Sequence, residues 1–399
     1  MQARDRRARP RRAGLAAFVA LALATAGCAD GDALDDAVTA ARRASETTAA
    51  TTSTTTTTST TTTTTAVTTT APPDTTVATT AAAPSPAPAP GPAPAPAAPA
   101  PRPAPGIPPS LGSCSLFPRS SYWYADVSTL PVHPSSAAYV ASVGPGKNVH
   151  ADFGSGLWNG GPIGIPYTVV PAGPPRVTVQ FDYADESDPG PYPIPPDAPI
   201  EGGPASDGDR HVIVVEDGAC TLYELYAAYP DGARGWTAGS GAVWDLRSNA
   251  MRPAGWTSAD AAGMPILPGL VRYDEVASGR IDHAIRMTVP RTQNRYVWPA
   301  THRASSNGDP ALPPMGTWFR LRADFDTSGF PPQSRVILEA LKTHGAIVAD
   351  NGSAWYLSGA PDDRWDNNDL RSLHSVPGSA FEAVDASVIM VHPGSAEAR

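Results

Sequence analysis

RHVIVVEDGACTLYELY, residues 210–226, sets two apolar runs on either side of Asp217-Gly218. An Asp-Gly pair between such runs is a strong signal for a two-residue β-hairpin, and the turn fixes the register of both strands. Pairing Glu216 with Ala219 sets His211 opposite Glu224, with Cβ atoms about 5 Å apart. Their shared face carries Ile213, Val215, Cys220 and Leu222, so it is the core-directed side.

Working outward, a four-residue loop at 291–294 makes a second hairpin from 281–289 and 295–302. It sets His283 across from His302 at the end of a face carrying Ile285, Met287, Val289, Tyr296 and Trp298. Asp350-Asn351-Gly352, between 346–349 and 353–358, predicts a third hairpin. Alternation marks further strands at 163–170, 176–183 and 318–325. Residues 184–209, rich in Pro, Gly and Asp, read as one long loop, of a length that compact domains keep for building sites. Helices are few: a turn capped by Ser258 through Ala262, a helix over 334–343 stopped by Gly345, and one over 369–374 capped by Asn367 or Asn368. Residues 110–399 are therefore expected to form one mainly β domain, a β-sandwich or jelly-roll-like fold with a few short helices.

The chain before this region has a different character. Residues 1–12 hold six arginines against one aspartate, and an apolar run from Leu15 ends in Thr25-Ala26-Gly27-Cys28. That is the layout of a signal peptide over residues 1–28. The order small, small, Cys resembles the lipobox of bacterial lipoproteins, with Cys28 as the lipidation point. The alternative is an ordinary secretory signal cut nearby. Residues 29–109 are dominated by Thr, Ala and Pro and lack the large side chains needed to offset ordering entropy, so they read as a disordered stalk. An oxidising compartment makes Cys114–Cys220 a disulfide, against the alternative of two buried free thiols. The expected address is the outer face of the cell membrane, reached only through the lipid anchor, or secretion.

Residues 110–399 carry 20 Lys and Arg against 31 Asp and Glu, a net charge of −11. Such an acidic domain with no basic run is a poor partner for nucleic acid. No phosphate loop, CxxC, HExxH or GxSxG motif occurs, so nucleotide hydrolysis, zinc-finger and serine-hydrolase chemistry have no support.

The hairpins suggest a site built from His211, Glu224, His283 and His302, acting as general acid and base. The same four side chains have the chemistry of divalent metal ligands, which is the alternative role and the only cofactor suggested. Against both stands the reading of satisfied core or rim histidines. Nine tryptophans, several beside Asp, Asn and Arg, suggest sugar-ring stacking. Trp298, Arg286, Trp355 and Asp350 are the expected ligand contacts, and residues 361–368 have the fitting polar mixture. A glycosidase needs two carboxyl groups, and Glu224, Asp245, Asp274, Glu275 and Asp350 are the candidates.

The runs at 206–215 (SDGDRHVIVV), 222–226 (LYELY), 252–263 (RPAGWTSADAAG) and 349–356 (ADNGSAWY) resemble a widespread group of secreted bacterial proteins. The likeness covers nearly all of the chain after Cys114. It implies one extracellular domain, in a group where some members accompany carbohydrate-binding modules, and it brings no assigned activity. The expected function is binding or hydrolysis of an extracellular polysaccharide by a monomer. A non-catalytic envelope-binding lipoprotein and a metal-dependent extracellular enzyme are the alternatives.

Overall fold

The computed structural model describes residues 111–399. The leader, Cys28 and the Thr/Ala/Pro tract lie outside them. Fifteen strands and four α-helices build the described residues. A six-stranded sheet runs in the order β1 (His150–Asp152), β14 (Tyr356–Ser358), β11 (Ile285–Val289), β13 (Ala346–Asn351), β12 (Trp318–Leu321) and β15 (Phe381–Val384). A four-stranded sheet runs β10 (Ser240–Asp245), β7 (Thr221–Tyr226), β6 (Val212–Glu216) and β4 (Tyr167–Val170). Three short strands, β5 (Val179–Phe181), β9 (Trp236–Ala238) and β8 (Tyr229–Pro230), form a third sheet. The two-residue strands β2 (Leu157–Trp158) and β3 (Gly161–Pro162) form a projecting hairpin. The helices are α1 (Ser136–Val143), α2 (Tyr273–Ala277), α3 (Pro332–Thr343) and α4 (Asn367–Arg371).

The chain is therefore mainly β with few helices, as expected. Four ladders are parallel: β1/β14, β11/β13, β4/β6 and β5/β9. That is not the connectivity of a purely antiparallel jelly roll.

Every residue of β6 is buried. Ile213 and Val215 join Leu222 in the main core with Ile285, Met287, Trp318 and Phe319 of the large sheet. Val212 and Val214 face a second core with Tyr223, Leu225 and Trp236. An unbroken apolar run buried on both faces is what Val212-Ile213-Val214-Val215 encodes. Tyr192, Ile194 and Ile200 of the long 184–209 segment close that second core. The loop is thus a packed cover, and it contains only one 3₁₀ turn, Ala184–Glu186.

The β6–β7 hairpin forms, two residues wider than expected. Glu216 pairs with Thr221 and Ile213 with Glu224, leaving residues 217–220 as the loop. Gly218 and Cys220 both take positive φ (79° and 52°), which a two-residue loop between 216 and 219 does not accommodate. A shift of two preserves the faces, so Glu224 keeps its side but loses His211 as its partner.

The other two expected hairpins do not form. Residues 295–302 contain no strand, and β11 pairs instead with β13 and β14. β11 lies between β13 and β14, so Asp350-Asn351-Gly352 starts a crossover rather than a tight turn. Sequence adjacency favours neighbours in the sheet, but burying β11 on both edges satisfies more backbone groups.

Residues 258–262 form the expected turn closed by Ser258, whose Oγ accepts from Asp260 N at 2.9 Å and donates to Met264 O at 2.6 Å. Helix α3 buries Ser334, Ile337, Leu338 and Leu341, a spacing that draws one stripe along the helix. Gly345 follows at φ 67°, where a Cβ would strike Phe319 O and the Trp318 ring. Helix α4 starts two residues early, capped by Asp366 rather than by Asn367 or Asn368.

Cys114 and Cys220 form the expected disulfide, 106 residues apart. It ties the first described segment to the end of the β6–β7 loop. Closing a loop of that length stabilises by about 4–5 kcal/mol in the chain-entropy account. Replacing both cysteines by serine should lower the melting temperature by roughly 10 °C; calorimetry showing no change would contradict a structural role for the bridge.

Candidate functional site

Directly paired residues place their side chains on the same face of a sheet. His150 pairs with Tyr356, Tyr356 with Thr288, and Thr288 with Asp350, so these four form one row across β1, β14, β11 and β13. Asp152 pairs with Ser358, and Ser358 Oγ accepts from Arg286 Nη1 at 2.7 Å, which gives a second row on the same face. The opposite face, with Met287, Leu357 and Val289, belongs to the core.

Asp350 reaches this polar face because the β11/β13 register shifts between Met287 and Thr288. Met287 faces Val348, and regular pairing would then put Ala349 beside Thr288. The bulge substitutes Asp350, the re-aiming of a side chain for which bulges are known. Asn351 holds the turn, with its Oδ1 accepting from Thr292 Oγ1 at 3.0 Å and its Nδ2 donating to Ala304 O at 3.0 Å.

Arg286 is the buried base of the site. Its Nε and Nη2 both donate to Asp260 at 2.8 Å, and Nη2 stands 3.7 Å from Asp350 Oδ2. Burial opposes the guanidinium charge, and Asp260 and then Asp350 outweigh it, so Arg286 stays charged. The turn that presents Asp260 also binds two histidines. His211 Nε2 lies 3.0 Å from Ala259 O, and His302 Nδ1 lies 2.8 Å from Ala261 O.

The third wall is the 200–211 segment. Glu201 Oε2 lies 2.7 Å from His211 Nδ1, and Glu201 N donates to His211 O at 3.0 Å. Arg210, buried at φ 53°, donates to Pro204 O and Ser206 O at 3.0 and 2.8 Å and lies 4.1 Å from the centre of the Tyr229 ring. It therefore pins the loop that carries Glu201 and Asp209.

Several carboxyl groups on and beside this face act on one another through their charges. Burial first, then the charge of Asp209, push the Asp350 carboxyl up from 3.8 to about 7, against the pull of Arg286. Its side chain is still 25% exposed, so the proton can exchange with a ligand. Asp152, on the exposed rim, is also raised, by burial, then Glu201, and then Asp209, with Arg286 opposing between the two. Burial alone would lower His211, yet the Glu201 carboxylate overcomes it and raises the imidazole to about 9.

Several expected site residues lie elsewhere. Glu224 is fully buried and accepts from Ile266 N, Leu267 N and Trp244 Nε1 at 2.9–3.1 Å. Burial raises it to about 7 against those donors, but no ligand reaches it. It anchors β7 to the 265–267 turn. His283 is buried between Glu275 Oε2 and Ala284 O, in a network with Arg272. His211 and His302 reach the 258–263 turn but are occupied by its carbonyls, so the four side chains share no metal or catalytic centre. Among the described residues no three His, Cys, Asp or Glu side chains group as metal ligands.

Trp355 is core, stacked on Phe381 at 5.0 Å with its Nε1 on Gly144 O. Trp298 is half-buried, donates to Ser395 O and packs on Tyr122, so neither indole is a sugar platform. The acidic run after Pro361 is committed too. Asp362 binds Arg364, Asp366 caps α4, and Asp369 accepts from Gln333 N and Ser334 N at the start of α3. Arg286 and Asp350 are the expected ligand contacts that do come together. Asp152, Glu201, Asp209 and Asp260 are not among the expected site residues; the length of the 184–209 loop is a signal for Glu201 and Asp209 alone.

Comparison with protein-family models, with characterised proteins and with solved structures finds no match.

Two outcomes follow from these roles. Glu224→Ala strands three buried N–H groups at about 1–3 kcal/mol each, so it should lower the melting temperature by roughly 10 °C or more. Unchanged melting would mean the anchor is dispensable. For the His211–Glu201 pair the folded pKa is raised, so its stabilisation is complete below pH 6.5 and lost as pH rises through about 9. The melting temperature of wild type minus that of Glu201→Gln should therefore shrink across this interval; a constant difference would show that His211 is not protonated in the fold.

Proposed function

We propose that residues 111–399 are an extracellular glycan-cleaving domain in which Asp350 is the proton donor and Asp209 the second carboxyl group. Glycoside hydrolysis needs one carboxylic acid that keeps its proton near neutrality and a second carboxyl group close by. The observation that carries the reading is the part-exposed Asp350 carboxyl, raised to about 7 by burial and by the charge of the neighbouring Asp209. A protonated Asp350 delivers its proton to the leaving oxygen. Asp209 then acts on the sugar carbon, either directly or through a water. Arg286 holds the Asp350 anion left behind, at 3.7 Å, and Asp260 keeps Arg286 in place.

The chain is exported, tethered through Cys28 or released, and its stalk presents the domain to an envelope or external polysaccharide. It belongs with the secreted bacterial proteins it resembles, and the large and four-stranded sheets pack as a sandwich around the shared core. No helix among the described residues is long and apolar enough to cross a membrane.

Asp350→Asn should abolish release of sugar products from a polysaccharide panel, read by mass spectrometry, and leave melting within a few degrees. Wild-type turnover should fall as pH rises through about 7, because the protonated form is the active one. Binding without product by both proteins would overturn hydrolysis in favour of a non-catalytic module.

A further inference from the structure

The β2–β3 hairpin carries the two most exposed large apolar side chains of the described residues, Leu157 at 71% and Trp158 at 72%. Its turn is Asn159-Gly160, both with positive φ (50° and 87°), the two-residue type that holds flanking strands in a fixed register. In that register Trp158 pairs with Gly161 and Leu157 with Pro162. Trp158 and Gly161 therefore share a face. A Cβ added at Gly161 would collide with the Gly202 backbone, so this face abuts the segment next to Glu201. The indole accordingly stands on the side of the hairpin that faces the Gly202 segment, next in sequence to Glu201. Leu157 and Pro162 point the other way, into a groove of about 580 Å³ lined by Pro361, Asp362, Asp363 and Arg364.

The hairpin is held in place rather than loosely attached. Ser155 N and O bond Asn367 Oδ1 and Nδ2, each at 2.9 Å, and Gly154 N donates to Ile163 O at 3.0 Å. A solvent-facing indole on an anchored hairpin, with the Glu201 segment on its side, suits the apolar face of a sugar ring, whose hydroxyls need polar partners. A membrane surface suits it less. Residues 110–399 carry a net charge of −11, and Glu201, Asp362 and Asp363 flank the hairpin, which an anionic leaflet repels.

We propose that Trp158 is a stacking platform for a sugar unit at the mouth of the Asp350 site. The ligand class is then a neutral polysaccharide long enough to span the platform and the opening. This deepens the glycan reading and rests on it for the placement of the second sugar, while the stacking itself does not require hydrolysis.

The test uses the full chain as wild type, Trp158→Ala, Trp158→Phe and Asp350→Asn, sedimented with insoluble cellulose, chitin, xylan and peptidoglycan. Parallel samples contain phosphatidylcholine–phosphatidylglycerol vesicles. The expected result is retention of wild type and Asp350→Asn on at least one polysaccharide. Trp158→Ala should bind about three- to tenfold more weakly, the effect of losing one stacked ring, with Trp158→Phe largely restoring it. Melting of Trp158→Ala should match wild type, because the ring is exposed. Equal retention of Trp158→Ala, retention of no variant on any polysaccharide, or Trp158-dependent binding to vesicles alone would each overturn the proposal. Trp158-dependent retention with no product from wild type would sink hydrolysis and leave the platform standing.

Discussion

The buried pair between Arg286 and Asp260 is the constraint on which the rest of the site depends. A guanidinium on a sheet face with 5% of its side chain exposed needs a compensating charge, and Asp260 supplies it through two bonds of 2.8 Å. To deliver Asp260, the 258–263 segment must lie across that face, and Ser258 closes it into a turn. Once there, its carbonyls take up His211 and His302. Removing either charged partner would leave the other buried and uncompensated, which costs far more than the pair contributes when intact.

The pair also decides what Asp350 can do. Arg286 has already committed two nitrogens to Asp260 and one to Ser358, so at 3.7 Å it attracts Asp350 without a direct hydrogen bond. That pull is too weak to offset burial and the neighbouring Asp209 charge, and the carboxyl keeps its proton to about 7. Three elements distant in sequence are needed for this balance: the bulge in β13, the loop pinned by Arg210, and the turn around Asp260. A carboxyl group that keeps its proton to near neutrality is a property of their meeting and not of any one motif.

Much of the fold was legible in the sequence, and the reasons for the rest are specific. Alternation and the Asp217-Gly218 signal located β6 and β7 and their inward faces, because parity survives a slip of two residues. The Asp350-Asn351-Gly352 signal misled, since local turn chemistry says nothing about a third strand inserting between two neighbours. Histidine positions drew attention to His283 and His302, yet backbone carbonyls and Glu275 satisfy them. Residue type alone singles out Arg286 and Asp350, and the structure brings the two together. Asp209 and Glu201 lie in a loop whose length is the one clue, and Asp260 in the turn capped by Ser258, where nothing local marks it as the partner of Arg286. The Asn159-Gly160 turn and the exposed Trp158 beside it emerge only from the structure, where Trp298 and Trp355 prove to be packed.

The most direct measurement is the titration of the Asp350 carboxyl carbon by ¹³C NMR, assigned by its disappearance in the asparagine variant. The account predicts a midpoint near 7, well above the ordinary aspartate value of 3.8. A midpoint at or below 3.8 would mean that Asp350 is ionised throughout the neutral range and cannot donate the proton.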